Sequence, residues 1–567
     1  MSNAAAAIPS VLIVGAGPVG LTMALALTEQ GVPCRIVDRA AAPTDKSKAL
    51  VLWGRTLENL ESIAGLNADF LAAGMWATGA NMNGNGKRLV QFTFDRADTA
   101  YPQPLMLPQC DTERILTHHL LKRGVVVQRQ TELISCVELP ASAGPDAGST
   151  PTPVQAVLRG VDGHEETVET PWLIGCDGSH STVRKQLGMQ FSGDFEPNDW
   201  MLADIHLDGP VAPREISIYW NSHGLAAFFP IGHDRFRFIA DIGKAPGSGK
   251  PADPTLEQVQ AALDSRGLSA VRVRDPIWLA GFRIHERKVE HYGHGRMFLA
   301  GDAAHIHSPA GGQGMNTGMQ DACNLAWKLA FVCHGWARPA PLLPSYSDER
   351  SEIGEMVLRN ASRLTTVATL HSPILQFVRN HVALLAGKLS SVQQRFMADL
   401  TELSIHYPHS VLNGDDPGEA WSGAIKPGDR LPDALLLKAG SGEEVRLLAV
   451  LAEFRYELLL LPGANDLGTI SSMAEGARRI QRRFAGVRAR WILPAGSQPA
   501  AVSAAEASEP LPILIDAQGQ LAERFGLQNP AIALVRPDGY LAMRGNANSW
   551  LAIFSLLANS QVVRSAE

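Results

Sequence analysis

Cysteine is scarce and scattered in this chain. Its 567 residues hold six: Cys34, Cys110, Cys136, Cys176, Cys323 and Cys333. There is no C-x-x-C, so buried thiols are expected, which suits a reducing cytoplasm. No cysteine follows Cys333, which excludes thiol redox chemistry from the C-terminal part. Basic charge is not in excess: the net charge is −7, and nothing electrostatic argues for nucleic acid or a general membrane surface. No apolar run approaches the ~20 residues that span a bilayer. Met1-Ser2-Asn3 and the alanine run after it lack a basic segment and read as a frayed tail. Histidines 285, 291, 294, 305 and 307 gather loosely, but not at a recognisable ligand spacing, so no metal is expected. At this length the chain exceeds one core, and two or three domains are expected.

Three motifs follow short apolar strands. Val11-Leu12-Ile13-Val14 leads into Gly15-Ala16-Gly17-Pro18-Val19-Gly20, a G-x-G-x-x-G match. A helix comes next, then a strand, Cys34-Arg35-Ile36-Val37, ending at Asp38. Gly15 and Gly17 permit a tight turn and close approach of a pyrophosphate. Gly20 lets the helix pack on the strand, and Asp38 suits a ribose diol. NAD and FAD both fit this motif.

The second motif is Trp172-Leu173-Ile174-Gly175, then Cys176-Asp177-Gly178-Ser179-His180-Ser181-Thr182-Val183-Arg184. Alone it reads as a capped helix start, with Ser179 or Ser181 as the cap. The third runs from Arg296-Met297-Phe298-Leu299-Ala300 into Gly301-Asp302-Ala303-Ala304-His305. Pro309-Ala310-Gly311-Gly312-Gln313-Gly314-Met315-Asn316 follows and opens a helix. The Gly-Asp turn offers a carboxylate and bare amides to a polyol. The helix start offers free N–H groups to an anion such as a reduced flavin.

With the three motifs in this order, the chain resembles the class A flavoprotein aromatic hydroxylases, over about the first 365 residues. The resemblance implies FAD as cofactor, NADH or NADPH as transient electron donor, and O2 and a small aromatic molecule as substrates. It implies hydroxylation through a flavin C4a-hydroperoxide, usually of a phenol. It places the ribityl chain at Asp302, and the FAD and arriving nicotinamide near Asp177, with Gly178 and Arg184 in the same motif. It places Gln109 near the flavin polyol. The turn carrying Pro309, Gly312, Gly314, Met315 and Asn316 would face the isoalloxazine, with Gly301 beside Asp302 and the Pro309 backbone beside the peroxide. Pro18 and Arg39 join Gly15, Gly17, Gly20 and Asp38 as cofactor contacts. The family's usual arginine after the second strand is missing; Lys46 and Lys48 are nearest, with Arg55 further on, and Lys48 is carried as the candidate. Candidates for a base on the middle sheet are Tyr219, His223 and His206. Only one G-x-G-x-x-G occurs, which argues against a dedicated NAD(P) domain.

The expected fold is α/β. It has a Rossmann-like FAD-binding domain, para-hydroxybenzoate-hydroxylase-like, an antiparallel-sheet substrate domain and a C-terminal thioredoxin-like domain. The FAD domain is expected at 8–75, 105–190 and 285–365, and the substrate sheet at 76–104 and 191–284. A helical linker at 366–420 and the thioredoxin-like unit at 421–567 complete the chain. Alternation in Arg235 to Phe238 gives that strand one buried and one wet face. The Gly/Pro/Ser-rich stretch 142–152 is expected to be a surface loop. A homodimer, and epoxidation or oxygen insertion on a polyketide or drug-like scaffold, remain open alternatives, as does a non-catalytic flavin-binding scaffold.

Overall fold

The computed structural model describes residues 10–84, 86–95, 97–140, 153–244, 249, 251–309, 311–368, 390–416, 418, 420–423, 425–463, 467–506, 510–527 and 530–560. The expected N-terminal tail, the loop at 142–152 and part of the expected linker (369–389) lie outside the described residues.

Val11–Val14 is wholly buried and pairs in parallel with Cys34–Val37 on one side and Trp172–Gly175 on the other. Met297–Leu299 adds in parallel beyond Trp172–Gly175, and Gly293–His294 closes that edge antiparallel. Continuous apolar runs fit a parallel sheet covered on both faces. Register then does the organising. Val14 pairs with Gly175, and Gly175 with Leu299. The three strands therefore end level, and the three motifs that follow them emerge side by side. Backbone bonds join these ends: Cys176 N–H donates to Val14 O (2.7 Å) and Ala300 N–H to Gly175 O (3.0 Å). The helices Pro18–Glu29 and Gly314–Cys333 pack against each other in the core beside this sheet.

A second, eight-stranded sheet runs in the order His305–Ile306, Arg272–Lys288, Ser192–Asp208, Arg235–Lys244, Gly224–Pro230, Glu215–Asn221, Gly79–Gly84, Lys87–Thr93. It is antiparallel except where Glu215–Asn221 meets Gly79–Gly84. One face carries Ala203, Ile205, Tyr219, Ala226, Phe228, Phe236 and Phe238, packed with Val259 and Leu263 of the helix Leu256–Ser265. The opposite face turns Phe229, Arg237 and Ile239 toward the Rossmann-like part.

The last sheet also has eight strands: Gly414–Asp416, Leu541–Asn546, Ala531–Val535, Tyr456–Leu461, Val487–Pro494, Ile513–Asp516, Leu435–Lys438, Glu444–Arg446. Its strand Gly414–Asp416 lies within the stretch expected as a helical linker and pairs in parallel with Leu541–Asn546.

Candidate functional site

The level strand ends and the second sheet enclose a cavity of about 340 Å³. All three motifs reach its wall, through Gly17, Pro18 and Val19, through Cys176 and Gly178, and through Ala300 and Asp302. Of the other expected residues, Lys48, Gln109, Pro309, Gly312, Gly314 and Met315 also line it, whereas Gly15, Gly20, Asp38, Arg39, Asp177, Arg184, Gly301 and Asn316 do not.

Local geometry explains the glycines. A Cβ on Gly20 would fall 1.9 Å from Gly15 O, so helix and turn can touch only without it. Gly15 itself has φ +104° and lies against Cys176 O. Gly17 faces open space instead, where a pyrophosphate needs it. Gly17 caps the helix Pro18–Glu29 without a side-chain bond, so the first amides of that helix stay open. Gln313 likewise leaves the start of Gly314–Cys333 uncapped by a side chain. Two helix N-termini thus present N–H groups beside one cavity, and each attracts negative charge.

The carboxylates divide their oxygens. Asp38 uses both on the backbone, Oδ2 accepting from Ala16 N (2.6 Å), which draws the glycine turn to the end of the second strand, and Oδ1 accepting from Ala40 N (2.7 Å). Asp177 Oδ2 accepts from Thr182 N (2.6 Å), while its Oδ1 is buried with no partner. Asp302 stands open to the interior of the deep cleft; burial raises its carboxyl above the usual range, and the charges of His305 and Lys48 partly offset this. The orphaned oxygen of Asp177, the open ground at Gly17 and Gly178, and the uncapped amides fit a ligand with phosphates and a polyol, as in FAD.

Some expected residues serve the frame. Asn316 spends its side chain on Trp53 N (2.9 Å), Val51 O (2.8 Å) and Gly312 O (2.8 Å). Arg184 donates to Ala303 O and Ser179 O and stacks on Phe191, tying the second motif to the third. Gln109 Oε1 accepts from Ala49 N (3.0 Å), and its amide donates to Glu113. Gly301 (φ +60°) turns the chain under Asp302, its N–H bonded to Asp321 (3.1 Å). Arg39 is exposed beyond Asp38. Arg55 is buried with Glu58 and Asp538 O, which leaves Lys48 as the cation of that segment on the wall.

The three candidate bases are not on the wall, and this corrects the sequence expectation. Tyr219 packs edge-on against Phe228, on the sheet face turned toward the helix Leu256–Ser265. His223 is exposed in the turn between Glu215–Asn221 and Gly224–Pro230. His206 lies beside Asp234, 3.1 Å away. Strand alternation gives two faces without saying which meets the cofactor.

Sequence reasoning missed Leu50, Val51, Phe229, Arg237 and Ile239, all on the wall; His307, from the histidine group read as surface or flavin-pocket residues, is there too. The alternation in Arg235 to Phe238 was the available signal for Arg237, but the face expected to be wet is buried beside the cavity at Arg237. Arg237 is buried, bonded to Asp204 (2.8 Å and 2.9 Å) and to Lys48 O (2.9 Å), with Ser47 O also accepting from it. It bolts the second sheet to the segment that carries Lys48.

The FAD binding domain family matches residues 9–361. The chain is 37% identical over 551 residues to a 6-methylpretetramide 4-monooxygenase of Streptomyces rimosus, covering 95% of this chain and 91% of that one. It is 30% identical over 554 residues to a pentachlorophenol 4-monooxygenase of Sphingobium chlorophenolicum, covering 94% and 93%. Among solved structures, an anhydrotetracycline hydroxylase from Streptomyces rimosus matches with a TM-score of 0.73 at 29% identity, over 97% of this chain and 98% of that one. With one cavity shared by three cofactor motifs and these relatives matched almost end to end, the chain belongs to the class A FAD-dependent aromatic hydroxylases, which draw electrons from NADH or NADPH.

Proposed function

We propose that this monooxygenase hydroxylates a phenolic ring on a fused, polyketide-type aromatic molecule. The observation that carries the reading is the cavity itself: a polar cofactor floor facing the apolar side chains Phe229 and Ile239. Relatives named for 6-methylpretetramide and anhydrotetracycline support the fused-ring scaffold. The relative named for pentachlorophenol keeps a single-ring phenol as the competing outcome.

In this reading Asp38 holds the ribose, the turn from Gly15 to Gly20 receives the pyrophosphate, and Lys48 offers it a cation. Asp302 binds the polyol, and Gln109, held by Ala49 and Glu113, borders it with its remaining amide N–H. Bound FAD supplies the electron and oxygen chemistry. The open amides at Gly314 and Met315 stabilise negative charge at the ring edge that faces them. Pro309 borders the reacting face, and Phe229 and Ile239 keep water from it. Asp177 holds the start of the helix Thr182–Gln186 and leaves one oxygen for the cofactor side.

We also propose the domain division given above, with the strand Gly414–Asp416 moved to the C-terminal unit and Arg272–Lys288 and His305–Ile306 joined to the substrate sheet. The sheet order Leu541–Asn546, Ala531–Val535, Tyr456–Leu461, Val487–Pro494 supports a thioredoxin-like C-terminal unit, and the absence of cysteine there supports a structural role. A homodimer belongs to the same reading, supported by Leu551 and Phe554, which stand exposed on the last helix. A cytoplasmic setting is supported by the scattered free cysteines.

The test is NAD(P)H oxidation by the FAD-loaded protein with a panel of single-ring and tetracyclic phenols, scored with product mass. A tetracyclic phenol that accelerates oxidation and gains one oxygen atom is the expected result. Acceleration by single-ring phenols alone would overturn the scaffold, and a ring-opened or lactone product would move the reaction to oxygen insertion.

A further inference from the structure

His307 is the imidazole on the cavity wall, two residues before Pro309. Its Nδ1 lies 2.9 Å from Ser308 O. A carbonyl can only accept, so the proton belongs on Nδ1 and the lone pair on Nε2. That Nε2 is buried and has no partner. The ring is held flat by a parallel stack on His305 (6.1 Å, 7°), which is itself fixed by Asp321 at 2.7 Å. A Cβ on Gly314 would lie 3.4 Å from Nε2, so the glycine that opens the helix also keeps this edge uncovered.

Asp302 also faces this cavity, and two further neighbours, Arg237 and Cys176, offer no competing acceptor. Arg237 is bonded to Asp204 and to the carbonyls of Ser47 and Lys48. The Cys176 thiol is pushed far up by burial and by Asp177, so it stays protonated. A buried acceptor without a donor is unfavourable until one arrives.

We propose that His307 Nε2 accepts a hydrogen bond from a hydroxyl of the bound ligand, either the polyol of FAD or the phenol of the aromatic substrate. The phenol case rests on the hydroxylase reading; the polyol case needs only FAD binding. Burial, and next the neighbouring His305, hold the His307 imidazole down at about 4, so the ring is neutral and Nε2 is free at neutral pH. A ring this weakly basic does not strip a phenol of pKa about 10; it orients the hydroxyl.

His307→Phe keeps a flat ring on His305 and deletes the acceptor. His307→Gln restores one through its amide oxygen. Flavin fluorescence quenching of apoprotein gives the FAD dissociation constant, and perturbation of the bound flavin spectrum by 2,6-dihydroxyanthraquinone, whose hydroxyls are free to donate, gives the phenol constant. A roughly tenfold loss for FAD alone in the Phe variant, recovered by Gln, assigns the polyol. The same loss for the phenol alone assigns the substrate. Unchanged constants for both, at an unchanged melting temperature, overturn the proposal. Should the Phe variant not fold, 15N-histidine spectra of the wild-type protein decide: the Nε2 signal shifts on adding FAD or the phenol, and indifference to both overturns it. Failure of the hydroxylase reading looks different, as intact binding without oxygenated product.

Discussion

The helix Gly314–Cys333 leads two lives. At its N-terminal end Gly314 and Met315 border the cavity, and no side chain caps the first amides. Further along, Trp327 and Lys328 are fully buried against the C-terminal sheet. There every charge is answered. Lys328 meets Glu349 at 2.8 Å, and Arg536 reaches Glu349 at 2.7 Å and Asp538 at 2.7 Å. Asn324 and Trp327 add bonds to Asp538. Backbone donors stand uncapped where a ligand is to come, and charges are paired where only the fold is served. Amides uncapped by any side chain therefore mark the cavity end of this helix, and dense ion pairing marks the end against the C-terminal sheet.

The largest effect should come from breaking the paired end. Arg536→Ala leaves Asp538 and part of Glu349 uncompensated in a buried place, which costs about 3–5 kcal/mol. Burial pushes the Glu349 carboxyl up, but Arg536 and Lys328 hold it well below the carboxylate range. Its contribution is thus present above the unfolded pKa of about 4.3 and is lost as pH falls. Chemical denaturation at pH 7 checks the variant, and an unaltered midpoint would mean the network contributes nothing net.

An intermediate effect belongs to the cavity end. Asp302→Ala removes a charge-assisted bond worth about 1.5–3 kcal/mol, or roughly ten- to a hundredfold in FAD affinity. The apoprotein should melt close to wild type, because this side chain is exposed to the cavity. Fluorescence titration with FAD reads the loss; full-affinity binding would remove Asp302 from the polyol site.

The smallest effect lies between the two ends. Glu402 is buried at φ +62°, accepting from Thr317 (2.8 Å) and Gln320 (2.5 Å). Burial raises it to about 7. A raised carboxyl stabilises the fold below its unfolded pKa of about 4.3, and that contribution is lost as pH rises through about 7. Glu402→Gln should therefore be more stable than wild type at pH 8, by about 1–2 kcal/mol, with a flatter profile from pH 5 to 8. Melting temperature against pH checks it; parallel wild-type and variant curves would contradict the assignment.

The glycine turn, Asp38, Asp177 and Asp302 were legible because their constraints are local: a tight turn, a strand end and a helix start leave their mark in a few adjacent residues. The base candidates were not. Ile218 and Tyr219 are neighbours on one strand, and only the packing of Leu256–Ser265 against one face decides which looks at the cavity. Arg237 sat in a run read correctly as two-faced, but its partners Ser47 and Lys48 are about 190 positions away, and no pattern in the sequence joins them. The parallel sheet followed from its apolar runs. The strand Gly414–Asp416 is three polar-flanked residues paired with Leu541–Asn546, and nothing near it in sequence announces a strand.

Asn316 has a consequence for the order in which the protein can be made. Its amide clasps Val51 and Trp53, a contact spanning more than 260 residues. Val51 is itself on the cavity wall. During synthesis the N-terminal strand and glycine turn emerge first, yet the pocket they serve lacks its side at Gly312, Gly314 and Met315 until that segment has left the ribosome. Contacts of such long sequence separation close late and slowly. A nascent chain halted before that point carries the dinucleotide fingerprint without the pocket it helps to build.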